Sequence, residues 1–271
     1  MLSKNEFIHL SKKLRRRIIE VSANAKIPHL GSCLSCIDIL VYLYWSVLKI
    51  DPADPLDLNR DRFILSKGHG APALFQVLAE KGFFPLKDLN EFGKSGSFFH
   101  EHPPKPGYIN GIEAATGSLG HGLPMGLGMA ISAKIQGKGF KTIALLSDGE
   151  CNEGSIWEAA LLAPCLKADN LIAIIDYNKW QATGKSKEIM ALEPFFSKWE
   201  SFGWHCQEIN GHDFFEIENA FKRIKDIKNK PHMIIAHTIK GKGISFMEDN
   251  NNWHYRTPNK EELESALKEI E

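Results

Sequence analysis

Residues 142–150 read TIALLSDGE and residues 171–180 read LIAIIDYNKW. Each begins as a short continuous apolar run and breaks abruptly into polar residues. Such runs are too short for buried helices and suit strands covered on both faces, as in a parallel sheet. The segment between them, Asn152 to Leu166, reads as a helix, so the unit is strand–helix–strand. A unit of that length returns its second strand beside the first, placing Asp148 and Asn178 at the same edge of the sheet. Working outward, Arg60 to Ser66 (RDRFILS) is a further strand that runs into Lys67-Gly68-His69-Gly70. Met233 to Thr238 (MIIAHT) is another. Helices are predicted over 5–25, on Phe7, Leu10, Leu14, Ile18 and Val21 at helical spacing, and over 35–48, 71–81 (stopping at Gly82), 122–136 and 215–227. Residues 95–120, rich in Gly, Pro and His, are predicted as a long ordered loop. The fold class is therefore α/β, a parallel sheet with helices on both faces. In such sheets ligands bind beyond the carboxyl ends of the strands.

Composition narrows the partners. Lys+Arg and Asp+Glu are equal at 33 each, which gives no electrostatic reason to expect nucleic acid or an anionic membrane. The basic run Lys12 to Arg17 reads as the solvated face of the first helix. Five scattered cysteines do not form a disulfide framework, and the lone Cys33-x-x-Cys36 reads as two small apolar residues entering a helix. The N-terminus lacks an apolar signal core, and Ile37 to Leu48 is too short to span a bilayer and carries Asp38. A cytoplasmic protein is expected.

The residues that follow the strands carry the chemistry. Asp-Gly alone is a common turn pair and a lone Asn is unremarkable in a loop. Together, a carboxylate and an amide oxygen at one sheet edge form an appropriate partial shell for Mg²⁺, an ion held by few protein carboxylates plus phosphate oxygens. Glu153-Gly154 opens the next helix and offers backbone amides that suit a diphosphate.

Asp148-Gly149 with Asn178 resembles the thiamine-diphosphate motif, Gly-Asp-Gly followed by Asn, with Ser147 in place of the first glycine. The wider chain resembles transketolases. His29-Leu30-Gly31 is similar to their His-Pro-Gly, and Arg60 to Phe63 through Ser66 to His69 to their R-D-R-F…S-x-G-H. His102-Pro103 is similar to their G-H-P-E, with Glu101 in place of Gly and Pro104 in place of Glu. Thr116 to Gly122 (TGSLGHG) resembles T-G-P-L-G-Q-G, and Trp253-His254 the C-terminal Val/Trp-His-Gly. The resemblance implies one thiamine-diphosphate-binding domain over 1–271.

It also implies roles. Asp148, Asn178 and the main-chain carbonyl of Trp180 would bind Mg²⁺ or Ca²⁺ bridging the cofactor's diphosphate. His69 and His254 would donate to that diphosphate. Gly117 and Leu119 would lie against the cofactor, Leu119 on the aminopyrimidine, with Gly149, Glu153 and Asn178 completing its surroundings. His29, His102 and His254 would manage protons on sugar hydroxyls and carbonyl, a task suited to imidazole. The implied reaction moves a two-carbon ketol unit from a ketose (phosphate) to an aldose (phosphate). Transketolases continue into a pyrimidine-binding domain that this sequence does not contain. A separate C-terminal subunit is therefore the expected partner, in a heterotetramer where two of these chains are expected to pair. Alternatives are a ketol transferase for an unusual sugar, the α subunit of a 2-oxo-acid dehydrogenase, or a non-catalytic relative. A nicotinamide-binding fold is disfavoured, since Gly122 to Gly128 has the wrong glycine spacing.

Overall fold

Five strands form the sheet of the computed structural model: β1 (Arg62–Leu65), β2 (Thr142–Ser147), β3 (Leu171–Tyr177), β4 (His205–Asn210) and β5 (His232–His237). They run parallel in the order β1-β2-β3-β5-β4. The structure describes residues 2–270, so the outer bounds expected for the domain, 1 and 271, lie outside the described residues.

The helices are α1 (Lys4–Ala25), α2 (Leu30–Ser35), α3 (Ile37–Tyr42), α4 (Ala71–Lys81), α5 (Gly122–Ile135), α6 (Gly154–Cys165), α7 (Ser186–Ile189), α8 (Phe195–Ser201), α9 (Phe214–Ile224) and α10 (Lys260–Ile270). Alternate strand residues feed two cores, as the two-residue period of a strand requires. Ile143, Leu145, Ile172, Ile174 and Ile234 join α1–α4, α9 and α10 in one core. Ala144, Leu146, Ala173, Ile175 and Ile235 join α5, α6 and α8 in the other. Both sheet faces are thus covered, which is why the strand sequences read as unbroken apolar runs.

Three expectations need correction. The helix predicted over 35–48 is α3 followed by a π-helical turn, Leu43–Val47, and α2 precedes it. The edge strand β4 escaped prediction because its residues alternate between core and solvent, with only Gln207 and Ile209 buried. The basic run of α1 is not wholly solvated. Arg15 is buried and donates from Nη1 and Nη2 to the Asp38 carboxylate at 3.0 and 2.6 Å. His212 closes that cluster, with Nδ1 2.7 Å from Asp38 Oδ2 and Nε2 accepting from the Ile239 amide at 2.9 Å. The pair holds α1 and α3 to the loops after β4 and β5, a structural task for His212.

Among the described residues no helix is long and apolar enough to cross a membrane. Cys33 and Cys36 are fully buried, and burial pushes both thiols up to about 12, which leaves them inert.

Candidate active site at the carboxyl edge of the sheet

The parallel register aligns the strand ends, Ser147 opposite Asp176 and Tyr177 opposite His237. The loops that follow β1, β2, β3 and β5 therefore leave from one edge. Four of the histidines singled out in the sequence meet there. The His29 ring lies 5.3 Å from His69, 6.4 Å from His102 and 4.9 Å from His254, centroid to centroid. Tyr255 flanks the group at 5.8 Å from His29 and 4.7 Å from His254.

Local structure explains the placement. His29 caps α2 in a left-handed conformation (φ 69°), and its amide donates to the His254 carbonyl at 2.6 Å. A non-glycine residue held there is strained, and such strain persists where the surroundings fix it. His69 sits in the tight turn Gly68–Gly70 at the end of β1. A Cβ on Gly68 would stand 1.3 Å from the Thr116 carbonyl oxygen, so only glycine lets the loop 116–120 cross this turn. Thr116 fixes the crossing by donating to the Leu65 carbonyl at 2.6 Å. Gly117 then lies over His102, where a Cβ would meet the ring at 3.9 Å. Leu119, half-buried, follows in the same loop.

The electrostatics keep His29, His69 and His254 neutral. Burial first, then His102, Lys240 and Lys67, brings His29 down to about 4. Burial and Lys240 bring His254 to about 3. Burial and Lys67 lower His69 well below its ordinary value. Neutral rings can donate at one nitrogen and accept at the other, as proton-managing groups require.

At the β2 and β3 ends, Asp148 is fully buried. One oxygen accepts from the Gly149 amide at 3.0 Å and the other from the Ser186 hydroxyl at 2.7 Å. It forms no ion pair among the described residues, and burial raises it to about 6. Asn178 is buried beside it, its Oδ1 accepting from the Trp180 amide at 3.1 Å. A buried carboxylate, an amide oxygen with a spare lone pair and the nearby main-chain carbonyls are hard oxygen donors, and they fit an oxygen-seeking divalent cation. Burying a carboxylate without a cation is costly, and a metal ion would offset that cost. The Trp180 side chain turns away to Asp249, its Nε1 donating to Oδ1 at 2.6 Å. Gly149 is half-buried behind Asp148. Glu153 is exposed at the head of α6, with no hydrogen bond from its side chain to the histidine cluster.

Sequence reasoning missed a second layer. Lys67 and Asp176 are both fully buried and paired at 2.5 Å. Lys67 also donates to the Ser32 carbonyl at 2.9 Å, and Asp176 accepts from Ser35 at 2.6 Å and from Thr238. Burial alone would raise Asp176, yet the Lys67 charge and these hydrogen bonds lower it. Glu150, also fully buried, accepts from the Gly120 amide at 2.9 Å and from Ser66, tying loop 116–120 to β2. Lys240 follows β5 and is buried, donating to Asn251 Oδ1 at 2.7 Å and standing 3.0 Å from His254 Nδ1. Burial and the nearby Lys67 charge lower it to about 7. Gly31 makes room for this side chain, since a Cβ there would lie 2.9 Å from Lys240 Cγ. The available signal was the rule already used for Asp148 and Asn178: Lys240 is a polar residue just beyond a buried apolar run.

The remaining histidines stand apart. His205 and His232 pair at the opposite, amino edge, Nδ1 to Nδ1 at 3.4 Å. His121 is exposed at the head of α5.

Comparison with known proteins agrees with this geometry. Residues 8–270 match the family described as transketolase, thiamine diphosphate binding domain. The chain is 42% identical over 260 residues to one of the subunits of the apulose-4-phosphate transketolase of Phocaeicola vulgatus, covering 96% of this chain and 92% of that one. It is 40% identical to the 6-deoxy-6-sulfo-D-fructose transketolase subunit SqwG of a Clostridium species, covering 97% and 95%. The transketolase structure of Campylobacter jejuni superposes with a TM-score of 0.91 at 30% identity, over all of this chain and 43% of that one.

Proposed function

The chain belongs to the transketolase thiamine-diphosphate-binding family, and from that premise we propose how its own residues serve ketol transfer. It is a transketolase-type transferase subunit that moves a two-carbon ketol unit from a ketose to an aldose with thiamine diphosphate. The carrying observation is the convergence of Asp148, Asn178 and the four histidines on the loops of one sheet edge.

When bound, thiamine diphosphate supplies the carbon nucleophile and electron sink that C–C cleavage beside a ketone needs. Asp148, Asn178 and the Trp180 carbonyl would hold Mg²⁺ (or Ca²⁺) at the diphosphate. His69 and His254 would donate to the diphosphate oxygens, with Lys240 as a nearby cation 3.0 Å from His254 Nδ1. Gly117 and Leu119 would line the cofactor, and Gly149, Glu153 and Asn178 would complete its surroundings. Because Lys240 as an ammonium only donates, it occupies His254 Nδ1 and leaves Nε2–H as that ring's donor. His29 and His102 stand in the same cluster, placed to give and take the protons of the sugar hydroxyls as the C–C bond breaks and re-forms.

Its relatives are themselves named as transketolase subunits, which supports a second polypeptide carrying the pyrimidine-binding half. We place residues 1–271 as one domain within a cytoplasmic two-plus-two heterotetramer acting on sugars or sugar phosphates. The test is reconstitution. The purified chain, a candidate C-terminal subunit, thiamine diphosphate and Mg²⁺ are mixed and assayed for two-carbon transfer from a panel of ketoses and ketose phosphates. Transfer only in the mixture supports the reading; cofactor bound by the complex without transfer from any donor overturns it.

A further inference from the structure

One carboxylate faces the histidine cluster without serving the fold. Glu101 Oε2 lies 4.0 Å from His29 Nε2, the Glu101 side chain 45% exposed and the His29 side chain 14%. No hydrogen bond reaches that carboxylate from any described residue, and neither ring nitrogen of His29 has a hydrogen-bond partner among them. Two polar groups thus confront each other across a gap too long for a direct hydrogen bond. An oxygen placed about 2.8 Å from both atoms subtends roughly 90° between them, which a hydroxyl can adopt while accepting from one and donating to the other. His29 is neutral and strained into position, so Nε2–H can donate while the carboxylate accepts. Charge adds direction: a carboxylate accepts from a hydroxyl and repels a phosphate or sulfonate at the same point. Glu101 also stands where the transketolase pattern has glycine, so this group is an addition to that pattern.

We infer that Glu101 and His29 form a hydroxyl clamp, with Glu101 a specificity-determining residue that reads one uncharged hydroxyl of the sugar. The inference rests on the ketol-transfer reading above. A charge-assisted hydrogen bond contributes about 1.5–3 kcal/mol, on the order of 10- to 100-fold in kcat/KM.

The experiment uses the assembled two-subunit enzyme with thiamine diphosphate and Mg²⁺. The donors are an accepted ketose and analogues lacking one hydroxyl at a time. The C3 hydroxyl is excepted, because its oxygen becomes the carbonyl of the released aldose. Unaltered enzyme, Glu101→Ala and Glu101→Gln are compared, with cofactor affinity and melting temperature measured alongside. Glu101→Ala is expected to lower kcat/KM for the parent ketose about 10-fold or more. One deoxy donor should be poor with unaltered enzyme and lose little further on substitution. Glu101→Gln, still an acceptor but uncharged, should fall between the two. Equal losses for the parent and every deoxy donor, or no loss for any, would overturn the clamp while leaving ketol transfer intact. No transfer by the unaltered complex from any donor overturns the functional reading, and the clamp with it.

Discussion

Nζ of Lys240 lies 3.0 Å from Nδ1 of His254, so the loop after β5 and the C-terminal histidine turn act as one unit. With Nδ1 engaged, His254 offers only Nε2–H to whatever occupies the site. The same lysine sits near Lys67, which together with burial lowers it to about 7.

The pH dependence of cofactor binding follows from that value. An ammonium beside a diphosphate favours binding, and the free chain loses this ammonium as pH rises through about 7. Affinity of the assembled enzyme for thiamine diphosphate should therefore be full below that pH and decline above it. Lys240→Met should weaken binding by about 10- to 100-fold and flatten the decline. Titration of cofactor binding by calorimetry at pH 6, 7 and 8.5 checks both; an unchanged slope in the variant would discard the role.

Asp148→Ala removes the one carboxylate of the oxygen donor set. Loss of second-layer partners at metal sites already costs 10- to 100-fold, so removing the carboxylate itself should cost at least about 100-fold in Mg²⁺-dependent cofactor affinity. Ketol transfer should vanish at ordinary cofactor concentrations. Because burial holds Asp148 up to about 6 without a metal, the variant should fold at least as stably as the parent when metal is absent. Urea unfolding with and without Mg²⁺ separates these effects.

Lys67 and Asp176 test the opposite case. Both are fully buried and paired at 2.5 Å, so Lys67→Met strands a carboxylate in the interior. A loss of about 3–5 kcal/mol is expected in chemical denaturation. The double variant Lys67→Met/Asp176→Leu should recover much of it, since the penalty belongs to the unpaired charge. Equal destabilisation in both would show that the hydrogen bonds to Ser32, Ser35 and Thr238 dominate.

Acid should weaken the fold through His232. Burial, then His205, lowers it from 6.5 to about 4. A histidine depressed in the fold binds fewer protons there than in the unfolded chain. Its contribution is complete above about pH 6.5 and disappears as pH falls through about 4. The melting temperature should drop across that window, and His232→Gln should shallow the drop without abolishing it, because His29 and His254 titrate low as well.

Much of this molecule was legible in one dimension. The runs TIALLS and LIAIID could be read as buried parallel strands because both of their faces meet helices, so every interior position is apolar. Asp148, Asn178, His69 and His102 could be named because each sits in a short motif whose backbone serves a local purpose. β4 was not legible, since an edge strand with one half-exposed face carries no continuous apolar signal. The basic run of α1 misled at Arg15, because its partner Asp38 lies 23 residues away.

What the sequence determined by itself was the class of fold, the family and the chemical types gathered after each strand. These depend on local periodicity and on short spacings that survive in any conformation. Only the tertiary structure decided which of those groups touch. It placed Lys240 under His254, buried Lys67 against Asp176, aimed Trp180 at Asp249 and set Glu101 across from His29. Each pair joins residues distant in the chain. Hydrogen-bond geometry and desolvation depend on distances of a few ångströms, which the packing of the sheet fixes and the order of residues does not.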